Sequence, residues 1–167
     1  MKNDSRYKSI RRLLLFFIVS LFLSGVTALP VSSELHFLQR FWAQDSRFGY
    51  WLSVVHSGYD SVDSQYPFLF YGYDWLAFAH FILAILFIGP YRDPVRNIWV
   101  IQFGLIACVL VFPFAFVAGS LRGIPIGWRF IDCSFGVFGF LLLYRVNMLV
   151  KNLESTTNQI QSSVLPI

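Results

Sequence analysis

The stretch Ile98–Gly119 is predominantly apolar and carries no charged residue. A helix that crosses a bilayer needs about 20 predominantly apolar residues, whereas a buried helix of a soluble core is shorter. Three further stretches have the same character: Leu13–Leu29, Trp75–Gly89 with an outer extension to Tyr71, and Ile126–Tyr144, which contains Arg129 and Asp132. Backbone groups in lipid must be satisfied within their own segment, so each stretch is expected to be helical. Composition agrees. Charged residues make up 13% of the 167-residue chain, against about 25% in an ordinary soluble domain. That is too little charge to coat a globule. The 19% aromatic content also excludes a disordered chain, which is poor in aromatics and rich in charge.

The net charge of +4 is concentrated at one end. Residues 1–12 hold Lys2, Arg6, Lys8, Arg11 and Arg12 against Asp4 alone, and the rest of the chain is balanced. A basic tail is not a basic folded face, so no nucleic-acid partner is expected. Basic residues flanking membrane spans favour the cytoplasmic side. With the amino terminus inside, that side receives the five tail residues with Arg92, Arg96, Arg145 and Lys151; the outer side receives Arg40, Arg47, Arg122 and Arg129. The excess predicts both termini in the cytoplasm. The inner turn Pro90–Arg96 is bounded by prolines at 90 and 94.

The first stretch fits two descriptions. A basic leader, an apolar core and Val26-Thr27-Ala28 also describe a signal peptide cut after Ala28. Apolar residues run on across Pro30 to Val31 with no polar region before the site, which favours a retained helix. The orientation of the rest is the same either way.

The long outer connection, residues 31–70, is not a plain linker. Phe48, Trp51, Leu52, Val55, Tyr59 and Val62 recur at the spacing of one helical stripe. Ser53, His56, Ser57 and Asp60 fall on the other side, and Gly58 interrupts the pattern. Upstream, Leu35, Leu38, Phe41 and Trp42 share an arc, with Ser32 or Ser33 as the expected N-cap. These segments are expected to lie in the outer interface or to lid the spans.

Helical projection then orients the spans. Asp74, Ala77, His80 and Ala84 share one face of the second, while Trp75, Phe78, Ile82, Ile85 and Leu86 point away. Gly104, Cys108, Ala115 and Gly119 form a stripe on the third, and Pro113 is expected to kink it. Arg129, Asp132, Gly136 and Gly139 lie together on the fourth. Small residues on a face let helix backbones approach, so these faces are expected to converge. Cys108 and Cys133 lie in apolar runs without zinc spacing and are read as packing residues.

An ionisable group inside a span is costly unless partnered, which makes Asp74, His80, Arg129 and Asp132 the candidate site. Two readings compete. Arg129 bridges Asp132, three residues on, and Asp74, pinning the second span to the fourth. Alternatively, His80 with Asp74 or Asp132 performs acid–base chemistry in an outward cavity. A metal site from His80, Asp74 and Asp132 lacks diagnostic spacing. No cofactor fingerprint, P-loop or nucleophile motif is present, and no cofactor or metal is expected.

The expected fold is therefore an all-α integral membrane protein, an antiparallel bundle of four transmembrane helices with an extracytoplasmic helical loop. Residues 1–12 form a basic cytoplasmic tail. Residues 13–151 form the membrane domain, with spans near 13–30, 71–89, 97–119 and 125–145. Residues 152–167 form a polar, mobile cytoplasmic tail. The expected setting is a bacterial inner membrane, with membrane lipid and other membrane-protein subunits as partners. The expected role is a non-enzymatic accessory subunit or a binder of a lipid-like or apolar ligand; the alternatives are an enzyme using His80 with Asp74 or Asp132, or a proton- or solute-conducting protein.

Overall fold

The computed structural model describes residues 2–41 and 46–164, with side-chain surroundings for 5–41 and 46–155. The described chain is helical, with no strand. In order it forms α1 (Lys2–Thr27), α2 (Val31–Gln39), α3 (Arg47–Gln65), a 3-10 turn over Pro67–Phe70, α4 (Tyr71–Leu86), α5 (Ile88–Arg92), α6 (Ile98–Leu121) and α7 (Ile126–Val164). Among the described residues, four helical segments are long and apolar enough to cross a membrane: Ser5–Thr27, Pro67–Arg92, Ile98–Leu121 and Ile126–Ser155.

Two of these helices run further than composition suggests. The basic residues from Lys2 continue α1 without a break, and the polar segment after Asn152 continues α7 to Val164. The tail at 152–164 is therefore helix rather than irregular chain. No Gly or Pro occurs between Lys2 and Ser24, or between Phe140 and Val164. Neither segment holds a strong breaker, and the cost of a Ser, Thr or Asn within a helix is only about 0.5 kcal/mol each, so helices already nucleated by their apolar spans can run on. Pro90 ends α4 instead. It has no N–H to offer the Leu86 carbonyl four residues back, and α4 closes at Leu86. α6 by contrast runs on through Pro113.

The chain divides into two compact units. The first comprises residues 1–19 and 85–167. Its core gathers Ile10 and Leu14 of α1, Phe87 at the start of α5, Val100 and Ile101 of α6, and Leu143, Val146 and Val150 of α7, all almost fully buried. The Phe17 and Phe87 rings meet at 4.7 Å between centroids. The Tyr7 hydroxyl donates to the Arg92 carbonyl at 2.8 Å, and the Arg11 guanidinium sits 4.5 Å from the Tyr91 ring centroid. The turn after α5 is held by Asn97, whose Nδ2 donates to the carbonyls of Asp93 at 2.9 Å and Gly89 at 3.3 Å.

Glycines set how closely α6 and α7 approach. A Cβ on Gly136 would stand 2.9 Å from the Cys108 carbonyl oxygen, and one on Gly139 would stand 2.9 Å from the Cys108 sulfur. Both cysteines are buried and free. The stripe Gly104, Cys108 and Ala115 is buried, as is Gly136 on α7. Phe130, Phe138 and Leu141 are exposed on α7.

The second unit comprises residues 20–84. Within it Gly25 of α1 packs on α4, where an added Cβ would lie 2.9 Å from the Ala77 carbonyl. Ala77 and Ala84 are buried on α4, while Trp75, Phe78, Ile82 and Ile85 are exposed. α2 and α3 form a helical hairpin. The cap of α2 is Pro30, with no side-chain bond, not Ser32 or Ser33: the helix has already begun at Val31. Ser46 caps α3, its Oγ accepting from the Gly49 N–H at 3.0 Å. α3 continues through Gly58, where nothing stands within reach of an added Cβ. Of its expected stripe, Leu52 is fully buried and Phe48, Trp51, Val55, Tyr59 and Val62 are half-buried. Trp42 lies outside the described residues.

Candidate functional site

Asp74 is exposed, in the first turn of α4. The expectation that it points inward is corrected by this placement. A carboxylate in a first turn faces the positive end of the helix dipole and can stay in solvent. One helical turn and a half further on, half-buried His80 places Nδ1 2.8 Å from the Leu76 carbonyl. A carbonyl only accepts, so Nδ1 carries the proton and a neutral ring keeps Nε2 as its acceptor. Asp74 and His80 belong to one unit, and Arg129 and Asp132 to the other.

Arg129 is occupied by the α6–α7 turn. α6 ends in a paired backbone cap: the Ile124 N–H donates to the Gly119 carbonyl at 2.9 Å and the Gly123 N–H to the Ser120 carbonyl at 3.3 Å. This arrangement needs a left-handed residue at its corner, and Gly123 supplies it with φ of 67°. Arg129 then reaches back from the first turn of α7. Its Nε donates to the Ile124 carbonyl at 2.9 Å, and Nη1 to Ser120 Oγ at 2.7 Å. The Ser120 hydroxyl in turn donates to the Phe116 carbonyl at 2.6 Å. The Arg129 stem lies on Gly119, where a Cβ would meet it at 2.9 Å. Arg129 thus clips the turn together, and among the described residues no ion pair joins it to Asp132 three positions on.

Half-buried Asp132 instead lines a cleft of about 340 Å³ between α6 and α7, with Arg122 as its other charged residue and Val111, Phe114 and Ala115 among its apolar ones. A second groove, of about 340 Å³ and open to the surroundings, lies beside Pro113 and is lined by apolar side chains, including the exposed Val109, Phe112, Val137 and Leu141, together with Cys108. Pro113 lacks an N–H, so the Val109 carbonyl has no ordinary helical donor there.

The α2–α3 hairpin holds a contact that spacing did not announce. The His36 and His56 rings meet edge-on with centroids 4.2 Å apart. His56 Nε2 is buried without a hydrogen bond, and the Asp60 carboxylate stands 3.5 Å away. Burial raises the Glu34 carboxyl above its ordinary range. The Tyr59 phenol is also raised, first by burial and then by the charges of Asp63, Asp60 and Asp74. Among the described residues, no three His, Cys, Asp or Glu side chains are placed to hold a metal ion together.

The members of the turn clip have a partial sequence signal. Leu-Arg-Gly-Ile-Pro at 121–125 reads as a helix stop, since Gly at the corner followed by Pro cannot continue a helix. The reach of Arg129 back to that stop has none. Comparison with family models, with curated proteins and with solved structures finds no significant match.

Proposed function

We propose that the protein is an integral membrane protein of a bacterial inner membrane, a four-helix antiparallel bundle with both termini cytoplasmic. Its role in this reading is non-enzymatic, as an accessory subunit or a binder of a lipid-like or apolar ligand. The observation that carries the reading is the open groove beside Pro113, lined by apolar side chains and one buried cysteine. Ligand sites are commonly apolar clefts of about 300–1,000 Å³, and this one offers an apolar molecule contact without a polar demand. The large exposed side chains along α4, α6 and α7 support a hydrocarbon surrounding, since such surfaces are not tolerated in water. Ile10 and Leu14 in the core support retention of the first helix.

Native mass spectrometry of protein released from its own membranes is expected to detect a bound apolar molecule. Val137→Trp, which fills the cavity, is expected to remove it while leaving the fold intact. Wild-type protein that carries no apolar ligand from any membrane preparation would overturn the binding role.

Orientation is tested separately. Single cysteines at Ser46 or Ser61 should react with an impermeant reagent added to intact spheroplasts, and cysteines at Asn97 or Ser155 should not. Reaction at Ser155 would reverse the assignment.

A further inference from the structure

We infer that the cleft between α6 and α7 is a binding site for an α-amino acid with a large apolar side chain, its ammonium group held by Asp132 and its carboxylate by Arg122. Asp132 and Arg122 are both among the residues that line one open cleft of about 340 Å³. Neither is paired: among the described residues, no hydrogen bond or ion pair engages the Asp132 carboxylate or the Arg122 guanidinium, and they do not bond to each other. Arg129, the nearest basic residue in sequence, is committed to Ile124 and Ser120. Two opposite charges that share a cleft and leave each other free complement a zwitterion rather than a simple ion. The rest of the lining is apolar or small, with Val111 and Phe114 toward the middle of α6.

The register of the two helices orders these groups. Arg129 packs on Gly119, and Gly136 packs on Cys108 and Val111. Asp132 lies between those levels, near Ala115, which lines the same cleft. Arg122 is the C-cap of α6, about 10 Å further along at 1.5 Å per residue. Val111 and Phe114 therefore lie innermost, Asp132 next and Arg122 further out, beside Ile124. A zwitterionic phospholipid fits this order poorly. Its amine lies beyond its phosphate, so an ammonium on Asp132 would push the phosphate down against Val111 and Phe114. An α-amino acid carries ammonium, carboxylate and side chain on one carbon. Its side chain can point to Phe114 while its two charged groups meet Asp132 and Arg122, with charge-assisted hydrogen bonds at both.

The inference rests on the protein being a binder of ligands with apolar bodies, and the test separates the two ideas. Binding to the full-length protein in lipid nanodiscs is measured by calorimetry with phenylalanine, phenethylamine and 3-phenylpropanoate. Phenylalanine should bind, phenylpropanoate should not, and phenethylamine should bind more weakly. Asp132→Asn should weaken phenylalanine binding about tenfold or more, the value of a lost charge-assisted bond. Arg122→Gln should weaken phenylalanine but leave phenethylamine unchanged, a comparison that does not depend on how Asp132→Asn folds. Phenylpropanoate binding as well as phenylalanine, or Arg122→Gln weakening both amines equally, would overturn the assignment. A wild-type protein that binds no amino acid yet retains an apolar molecule beside Pro113 would overturn it alone. Loss of both would overturn the broader reading as well.

Discussion

Gly136→Val is expected to separate α6 from α7 and to destabilise the protein by about 3 kcal/mol, the upper range for overpacking a tight contact. The atom in the way is the Cys108 carbonyl oxygen, 2.9 Å from where the first added carbon would stand. A flexible side chain could swing aside; a helix backbone can only move with its helix. Val111 and Phe112 close the same space from 3.4 and 3.5 Å, so no rotamer escapes the crowding. Thermal unfolding in detergent measures the loss. Gly127→Ala on the same helix is the control. Nothing stands within 4 Å of its added carbon, and replacing Gly by Ala in a helix is neutral or stabilising by up to about 1 kcal/mol. Equal effects of the two variants would show that Gly136 serves helix flexibility and not close approach.

Arg129→Gln should release the α6–α7 turn at a cost of about 2 kcal/mol, because two hydrogen bonds to a charged donor vanish and the Ile124 carbonyl loses its partner. Ser120→Ala should cost about 1 kcal/mol. The double variant should be less harmful than the two losses added together, since each single change already breaks the shared bond. Arg129→Lys should not rescue the turn. An ammonium is a point charge, whereas the guanidinium directs Nε and Nη1 along two fixed lines at once. Chemical denaturation of the purified protein reads the cycle. Strict additivity would show that the 2.7 Å contact contributes nothing.

What could be read beforehand from the residues was largely a matter of period. Ala77 and Ala84, or Gly104, Cys108 and Ala115, recur at helical spacing, so the packed faces of α4, α6 and α7 were visible in projection. The helix ends were not. The basic leader and the polar segment after Asn152 look like tails by composition, but composition measures solubility, and only a breaker stops a helix. The polar cluster separated for a different reason. Attraction between charges points Arg129 to carboxylate partners, yet its bonds go to a carbonyl and a hydroxyl that come within its reach only once Gly123 has turned the chain. That leaves Asp132 free to line a cleft with Arg122, a residue whose position at a helix end carried no signal of a site.

α7 runs for 39 residues without interruption, about 58 Å at 1.5 Å per residue. A hydrocarbon layer is about 30 Å thick. In a bilayer, a rod of this length stands well clear of the surface and holds its far end at a height set by helical geometry rather than by the entropy of a loose chain.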